Sequence, residues 1–110
     1  MKKSKWYLWE KFAQDYYFQK WFNVLEMNYT IRWWEIDLIV ENELYLVFVE
    51  VKVVDWVDDL FDYITKAKLK FLSKTIENYL HKNPTNKTYR LDFVFVKNWK
   101  IFEVYENIDF

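Results

Sequence analysis

The sequence predicts an α/β sandwich with a small mixed sheet, its elements in the order α-β-β-β-α-β-β. Three observations carry that expectation. Apolar residues recur at three- and four-residue steps in "WYLWEKFAQDYY" and in "ITKAKLKFLSKTIENYL", the spacing of one helix face. They alternate with period two in "EIDLIVE" and run almost unbroken in "LYLVFVEVKVV" and "YRLDFVFV", as strands do. The single proline, Pro84, separates the second helical stretch from the last strands.

Each element follows in order. Ser4 suits the N-cap of a first helix whose stripe is Trp6, Trp9, Phe12, Ala13, Tyr16 and Tyr17, ending near Lys20. Val24, Tyr29 and Ile31 suit a first strand. In the second, Ile36, Leu38 and Val40 face one way, and Glu35, Asp37, Ile39 and Glu41 the other. In the third, Leu46, Phe48, Glu50 and Lys52 share one face and Val47, Val49, Val51 and Val53 the opposite one. The polar "ENEL" between them makes a hairpin. A long helical region spans "VDWVDDLFDYITKAKLKFLSKTIENYLHKN". Ile64, Ala67, Phe71, Leu72, Ile76, Tyr79 and Leu80 line its apolar face. Asp58 and Asp59 suit its N-terminal part, His81 and Lys82 its C-terminal end. "TYRLDFVFV" and "IFEVYE" are the last strands, joined by the turn "KNWK".

At 110 residues the chain is expected to form one domain over 1–110. Hydrophobic residues make up 53%, enough for a packed core. The net charge of −1 supplies no global pull on nucleic acid, so any anion-binding surface is local. There is no cysteine and one histidine, His81, which removes disulfides, zinc sites and Cys-His catalysis. "MKKSKWYLWEKF" is too charged for a signal peptide, and no run approaches the ~18 apolar residues of a membrane span. A cytoplasmic protein is expected.

The chemistry is concentrated where the second and third strands meet. Glu50 and Lys52 are two apart and project from one face. A two-residue hairpin loop would set Glu35 opposite Glu50, with Asp37 on the diagonal. A four-residue loop would set Asp37 opposite Glu50, and a three-residue loop would break the parity. Carboxylates crowded on one face repel each other, and a divalent cation offsets that. Hard oxygen ligands suit Mg²⁺ or Mn²⁺. A lysine two residues beyond a metal carboxylate can orient an attacking water or stabilise phosphoryl charge. The plainer alternative is a solvated face of a half-buried strand. Against it, strands this apolar are expected to be central, where such residues rarely lie without purpose.

"EIDLIVENELYLVFVEVK" resembles the signature of the YraN family: Gly-Glu-Ile-Asp-Leu-Ile, a short turn, then Phe-Val-Glu-Val-Lys. The likeness extends over nearly the whole chain. "WYLWEKFAQDYY", "WFNVLEMNY", "ITKAKLKFL" and "YRLDFVFV" match further family segments. That family resembles the PD-(D/E)xK nucleases, archaeal Holliday junction resolvases among them. The resemblance implies a restriction-endonuclease-like core with a mixed five-stranded sheet flanked by helices. It makes Asp37 and Glu50 metal ligands for Mg²⁺ or Mn²⁺ and Lys52 the catalytic lysine. Glu10 matches an N-terminal glutamate that supports the metal, and Glu35 belongs to the motif. Lys68 falls on a family lysine and, with Arg32, is the candidate nucleic-acid contact.

The implied function is metal-dependent cleavage of structured or branched DNA. A nucleic-acid-binding module of the same fold with little activity, and a protein-interaction domain with an acidic face, are the alternatives. Resolvase-like relatives act as dimers, so the resemblance admits a homodimer.

One anomaly remains. The chain has seven tryptophans and no glycine, where average usage predicts about 8 glycines. Trp6, Trp9, Trp21 and Trp34 fall where the family pattern has glycine, and Trp33 where some members do. Trp99 lies in the hairpin turn "KNWK" and Trp56 in the loop leaving the third strand, places that suit glycine. Some bacterial lineages read UGA as glycine and others as tryptophan. The expectation is that these positions are glycine in the native protein; the alternative is a genuinely tryptophan-rich chain from an AT-biased gene.

Overall fold

The computed structural model describes residues 2–32, 34–55 and 59–110, without the side chains of residues 2–7. The expectations placed on Trp33, Trp56, Asp58 and the side chain of Trp6 lie outside these, while Ser4 lies within α1, which already begins at Lys2, and so is not its N-cap. The elements are α1 (Lys2–Gln19), β1 (Asn23–Ile31), β2 (Trp34–Glu41), β3 (Tyr45–Val53), a 3-10 turn (Leu60–Tyr63), α2 (Lys66–Lys82), β4 (Thr88–Lys97) and β5 (Lys100–Tyr105). The fold is α/β with one five-stranded mixed sheet in the order β1-β2-β3-β4-β5. Neighbours are antiparallel except β3 and β4, which run parallel. A parallel neighbour needs a crossover, and α2 lies in it.

The two helices cover opposite faces. Ala13 and Tyr17 of α1 pack on Leu38, Val40, Val47, Val49, Val51, Val94 and Val96. The β-branched ridge read from the third strand is the floor of this layer. Leu72, Ile76 and Tyr79 of α2 pack on Ile36, Ile39, Phe48, Leu91, Phe93 and Phe95. Each fully buried phenylalanine is worth roughly 1.5–3 kcal/mol of transfer free energy. The central strands β3 and β4 therefore anchor both layers.

Three local expectations are corrected. The long helical region divides. Asp59 caps the 3-10 turn by accepting the Phe61 N–H, while Thr65 caps α2 by accepting the Lys68 N–H. A hydroxyl in extended conformation satisfies an orphan donor at the second start, so the helix begins there and Ile64 stays outside it. Phe71 of α2 is exposed, although its ring stacks on Trp34. Finally, Ile36 does not share a layer with Leu38 and Val40. It belongs under α2 and they belong under α1. Tyr29 and Met27, their partners on β1, divide the same way. Between those two pairs lie Asn28, at φ 53, and Asp37. Both strands reverse their alternation at that level, and on β1 the residue there, Asn28, has the left-handed conformation that non-glycine residues seldom adopt.

The hairpin register settles the loop question. Glu41 pairs with Leu46 and Leu38 with Val49, the four-residue alternative. Asn42 closes the loop: its N–H donates to the Tyr45 carbonyl, and its Oδ1 accepts the N–H groups of Leu44 and Tyr45. An Asx turn of this kind stabilises a hairpin without glycine.

Candidate functional site

The β2–β3 ladder pairs Leu38 with Val49. Next to that pair Asp37 bonds through its side chain, and its Oδ2 accepts the Val51 N–H at 2.7 Å. That bond fixes the carboxylate beside the third strand, where Glu50 and Lys52 project. The Asp37 and Glu50 carboxyls are close enough to share a hydrogen bond when one is protonated. Burial pushes Asp37 up to about 6, against the pull of the Val51 N–H. Burial, then the Asp37 charge, holds Glu50 well above the usual carboxylate range. Taking carboxylates out of water disfavours their charged form, and a second carboxylate alongside adds to that.

Two lysines face this pair from different elements. Lys52 lies on β3 with its Nζ 5.9 Å from the Tyr63 ring centre. Lys68, in the first turn of α2, has its Nζ 5.9 Å from the Phe93 ring centre. Burial and the neighbouring Lys52 charge depress the Lys68 pKa, while Glu50 and Asp37 oppose that shift.

Glu10 approaches from the α1 side and is 4% exposed. Asn28 Nδ2 donates to its Oε1 at 3.2 Å. Burial, then the Asp37 charge, raises it to about 7. Asp37 thus stands between Glu10, which feels its charge from the α1 side, and Glu50, whose carboxyl it meets on the adjacent strand. Glu35 is exposed and accepts the Thr30 hydroxyl. It acts on Asp37 and Glu10 through its charge. Arg32 is exposed at the β1–β2 turn. Among the described residues no hydrogen bond or ion pair links Arg32 to the carboxylates.

The sequence pattern sets Asp37, Glu50 and Lys52 on one face; the structure gathers these three, adds Lys68 from α2 and Glu10 from the α1 side, and leaves Glu35 and Arg32 exposed. Sequence reasoning passed over Asn28, the Val51 N–H and Tyr63. Asn28 left one signal, since asparagine is depleted in strands. The donor set can be tested for a cation. Among the described residues, no group of three or more His, Cys, Asp or Glu side chains is gathered closely enough to hold one. Two carboxylates remain, and Glu50 Oε1 is buried with no hydrogen-bond partner. A buried, unpartnered carboxylate oxygen beside a second carboxylate fits a hard cation that keeps several waters, as Mg²⁺ does.

The comparisons with known proteins agree with the motifs. The model of the family described as "Uncharacterised protein family UPF0102" matches residues 9–96. The chain belongs to the UPF0102 family. This is the YraN family that the β2–β3 signature resembles. The matched span runs from just before Glu10 to Val96 in β4 and so holds the whole carboxylate–lysine cluster. A UPF0102 protein of Helicobacter pylori (strain HPAG1) is 39% identical over 89 residues, covering 81% of this chain and 76% of that protein. One of Campylobacter concisus is 39% identical over 88 residues, 79% and 77% of the two chains. One of Nitratiruptor sp. is 33% identical over 99 residues, 90% and 87%. Among the described residues of this UPF0102 chain, no helix is long and apolar enough to cross a membrane.

Proposed function

We propose that this chain is a metal-dependent nuclease with a PD-(D/E)xK-type, restriction-endonuclease-like core, acting on structured or branched DNA. One observation carries the reading. Asp37 and Glu50 meet on adjacent strands, two residues before Lys52, and Glu50 Oε1 is buried without a partner. Asp37 and Glu50 would hold Mg²⁺ or Mn²⁺, with Glu10 supporting Asp37 from α1. The ion would supply a polarised water and neutralise charge at the scissile phosphate.

The chain's own residues do the rest. Val51 orients Asp37 through its N–H. Tyr63 lies under the Lys52 ammonium, which positions the nucleophile and stabilises developing phosphoryl charge. Lys68 and exposed Arg32 contact the DNA backbone. A homodimer would present two such sites to a branched substrate.

The second reading is a DNA-binding module of the same fold with little turnover. The absence of a three-carboxylate group among the described residues favours it. Cleavage of linear, flapped and four-way DNAs with Mn²⁺, comparing this chain with Lys52→Ala, separates the two. Metal-dependent cleavage lost in the variant supports the nuclease, and equal cleavage by both removes Lys52 from the mechanism. Binding with no cleavage in either supports the module.

A further inference from the structure

Two tryptophans stand in the two backbone settings where a protein most needs glycine. Helix α1 ends in a Schellman motif. The Phe22 N–H donates to the Tyr17 carbonyl and the Trp21 N–H to the Phe18 carbonyl, both at 3.0 Å. That places Trp21 at C′, and its φ is 70. C′ is the left-handed position that glycine usually fills, because it has no Cβ to clash with the backbone. The β4–β5 hairpin closes with Lys97 opposite Lys100, leaving a two-residue turn of Asn98 and Trp99. Their φ values are 52 and 63. Positive φ at both central residues defines a type I′ turn, for which Asn-Gly is a preferred pair.

The other positive-φ sites show what such positions accept. Among the described residues they are Asn28, Arg32, Asn98 and Asn107. Three are asparagine, the side chain that tolerates this conformation best after glycine. Bulky side chains are outliers there.

Packing does not explain the exception. Trp21 is 87% exposed and Trp99 59% exposed. A third tryptophan carries a separate mark: the Trp34 indole Nε1 is buried with no hydrogen-bond partner, though a buried indole N–H usually finds one. Trp99 contacts Trp9, their ring centres 4.6 Å apart, so removing both together leaves neither uncovered. Trp9 lies inside α1, where glycine is merely tolerated. The backbone at Trp21 and Trp99 carries the argument.

We propose that the protein its cell makes has glycine at Trp21 and Trp99, and by the same decoding at the other tryptophan positions. The codon at each would be UGA, translated as glycine. Substituting all seven turns a glycine-free chain into one close to the average glycine content of about 7%.

Two experiments test this. The first reads the gene at the seven positions and measures peptide masses of the protein from its source cells. UGA codons with glycine masses at Trp21 and Trp99 are expected. UGG codons, or tryptophan masses, at those two positions overturn the proposal. The second compares melting temperatures of the full chain with Trp21→Gly and Trp21→Ala. Trp21 buries so little that its removal loses almost no packing. Trp21→Gly should raise the midpoint by about 4–8 °C, and Trp21→Ala should gain much less, since alanine keeps the Cβ clash. Equal midpoints for the two variants, or a fall in Trp21→Gly, would remove the glycine requirement at α1's end.

Discussion

Asp37 takes the Val51 N–H through its carboxylate, at 2.7 Å, beside the pair that ends the β2–β3 register. A backbone donor in the central strand thus orients the side chain on which the proposed chemistry depends. Asparagine could still accept that N–H but would carry no charge. Asp37→Asn is therefore expected to melt at or above the parent temperature without metal, because a buried carboxylate facing Glu50 is relieved. It should also lose the Mn²⁺-induced rise in melting temperature. A full Mn²⁺ shift in the variant would remove Asp37 from the ligand set.

Stability should depend on pH with an unusual sign. Glu10 and Asp37 are raised to about 7 and about 6, and Glu50 higher than usual, each chiefly by burial. A carboxyl whose pKa rises on folding contributes stability that is complete below its unfolded value. That contribution is lost as pH climbs through the folded value. The metal-free protein should therefore melt at a higher temperature near pH 5.5 than near pH 8, by several degrees. Glu10→Gln should flatten the slope, and Mn²⁺ should raise the high-pH end. A metal-free protein that gains stability from pH 5.5 to 8 would contradict the buried placement of these groups.

Asn28 does two things, and two substitutions separate them. It holds a left-handed φ of 53 where the strand's alternation reverses, and its amide donates to buried Glu10. Asn28→Gly keeps the first and loses the second, while Asn28→Ala loses both. Chemical denaturation should find alanine less stable than glycine by about 1–2 kcal/mol. Equal losses would mean that the backbone conformation is not strained.

The buried carboxylate outside the site is Asp92, with no exposed surface. It accepts the Tyr17 hydroxyl at 2.6 Å, the Arg90 guanidinium at 3.1 and 3.2 Å, and the Asn107 N–H at 3.0 Å. This ties α1, β4 and the C-terminal segment together. Asp92→Ala strands a guanidinium that is 15% exposed and should cost about 3–5 kcal/mol. Tyr17→Phe removes one bond and should cost about 1–2 kcal/mol. Urea midpoints check both, and a neutral Asp92→Ala would show that the network adds nothing to stability.

The sequence by itself determined the element order, the mixed sheet, the β3 faces and the nearness of Asp37, Glu50 and Lys52. These are local regularities: a period-two strand and a short hairpin allow few arrangements of side chains two residues apart. It could also locate the Trp99 turn, because a two-residue hairpin loop demands positive φ. Tertiary structure decided the rest. Which loop closes the hairpin depends on the Asn42 side-chain bonds. The start of α2 depends on Thr65 as its cap. The separation of Ile36 from Leu38 goes with a reversal of both strands at the level of Asp37, where Asn28 is left-handed, a conformation no periodicity encodes. Glu10 and Lys68 reach the carboxylates only because α1 and α2 cover opposite faces of one sheet. Burial then raises the acids, and burial exists only after the layers have packed.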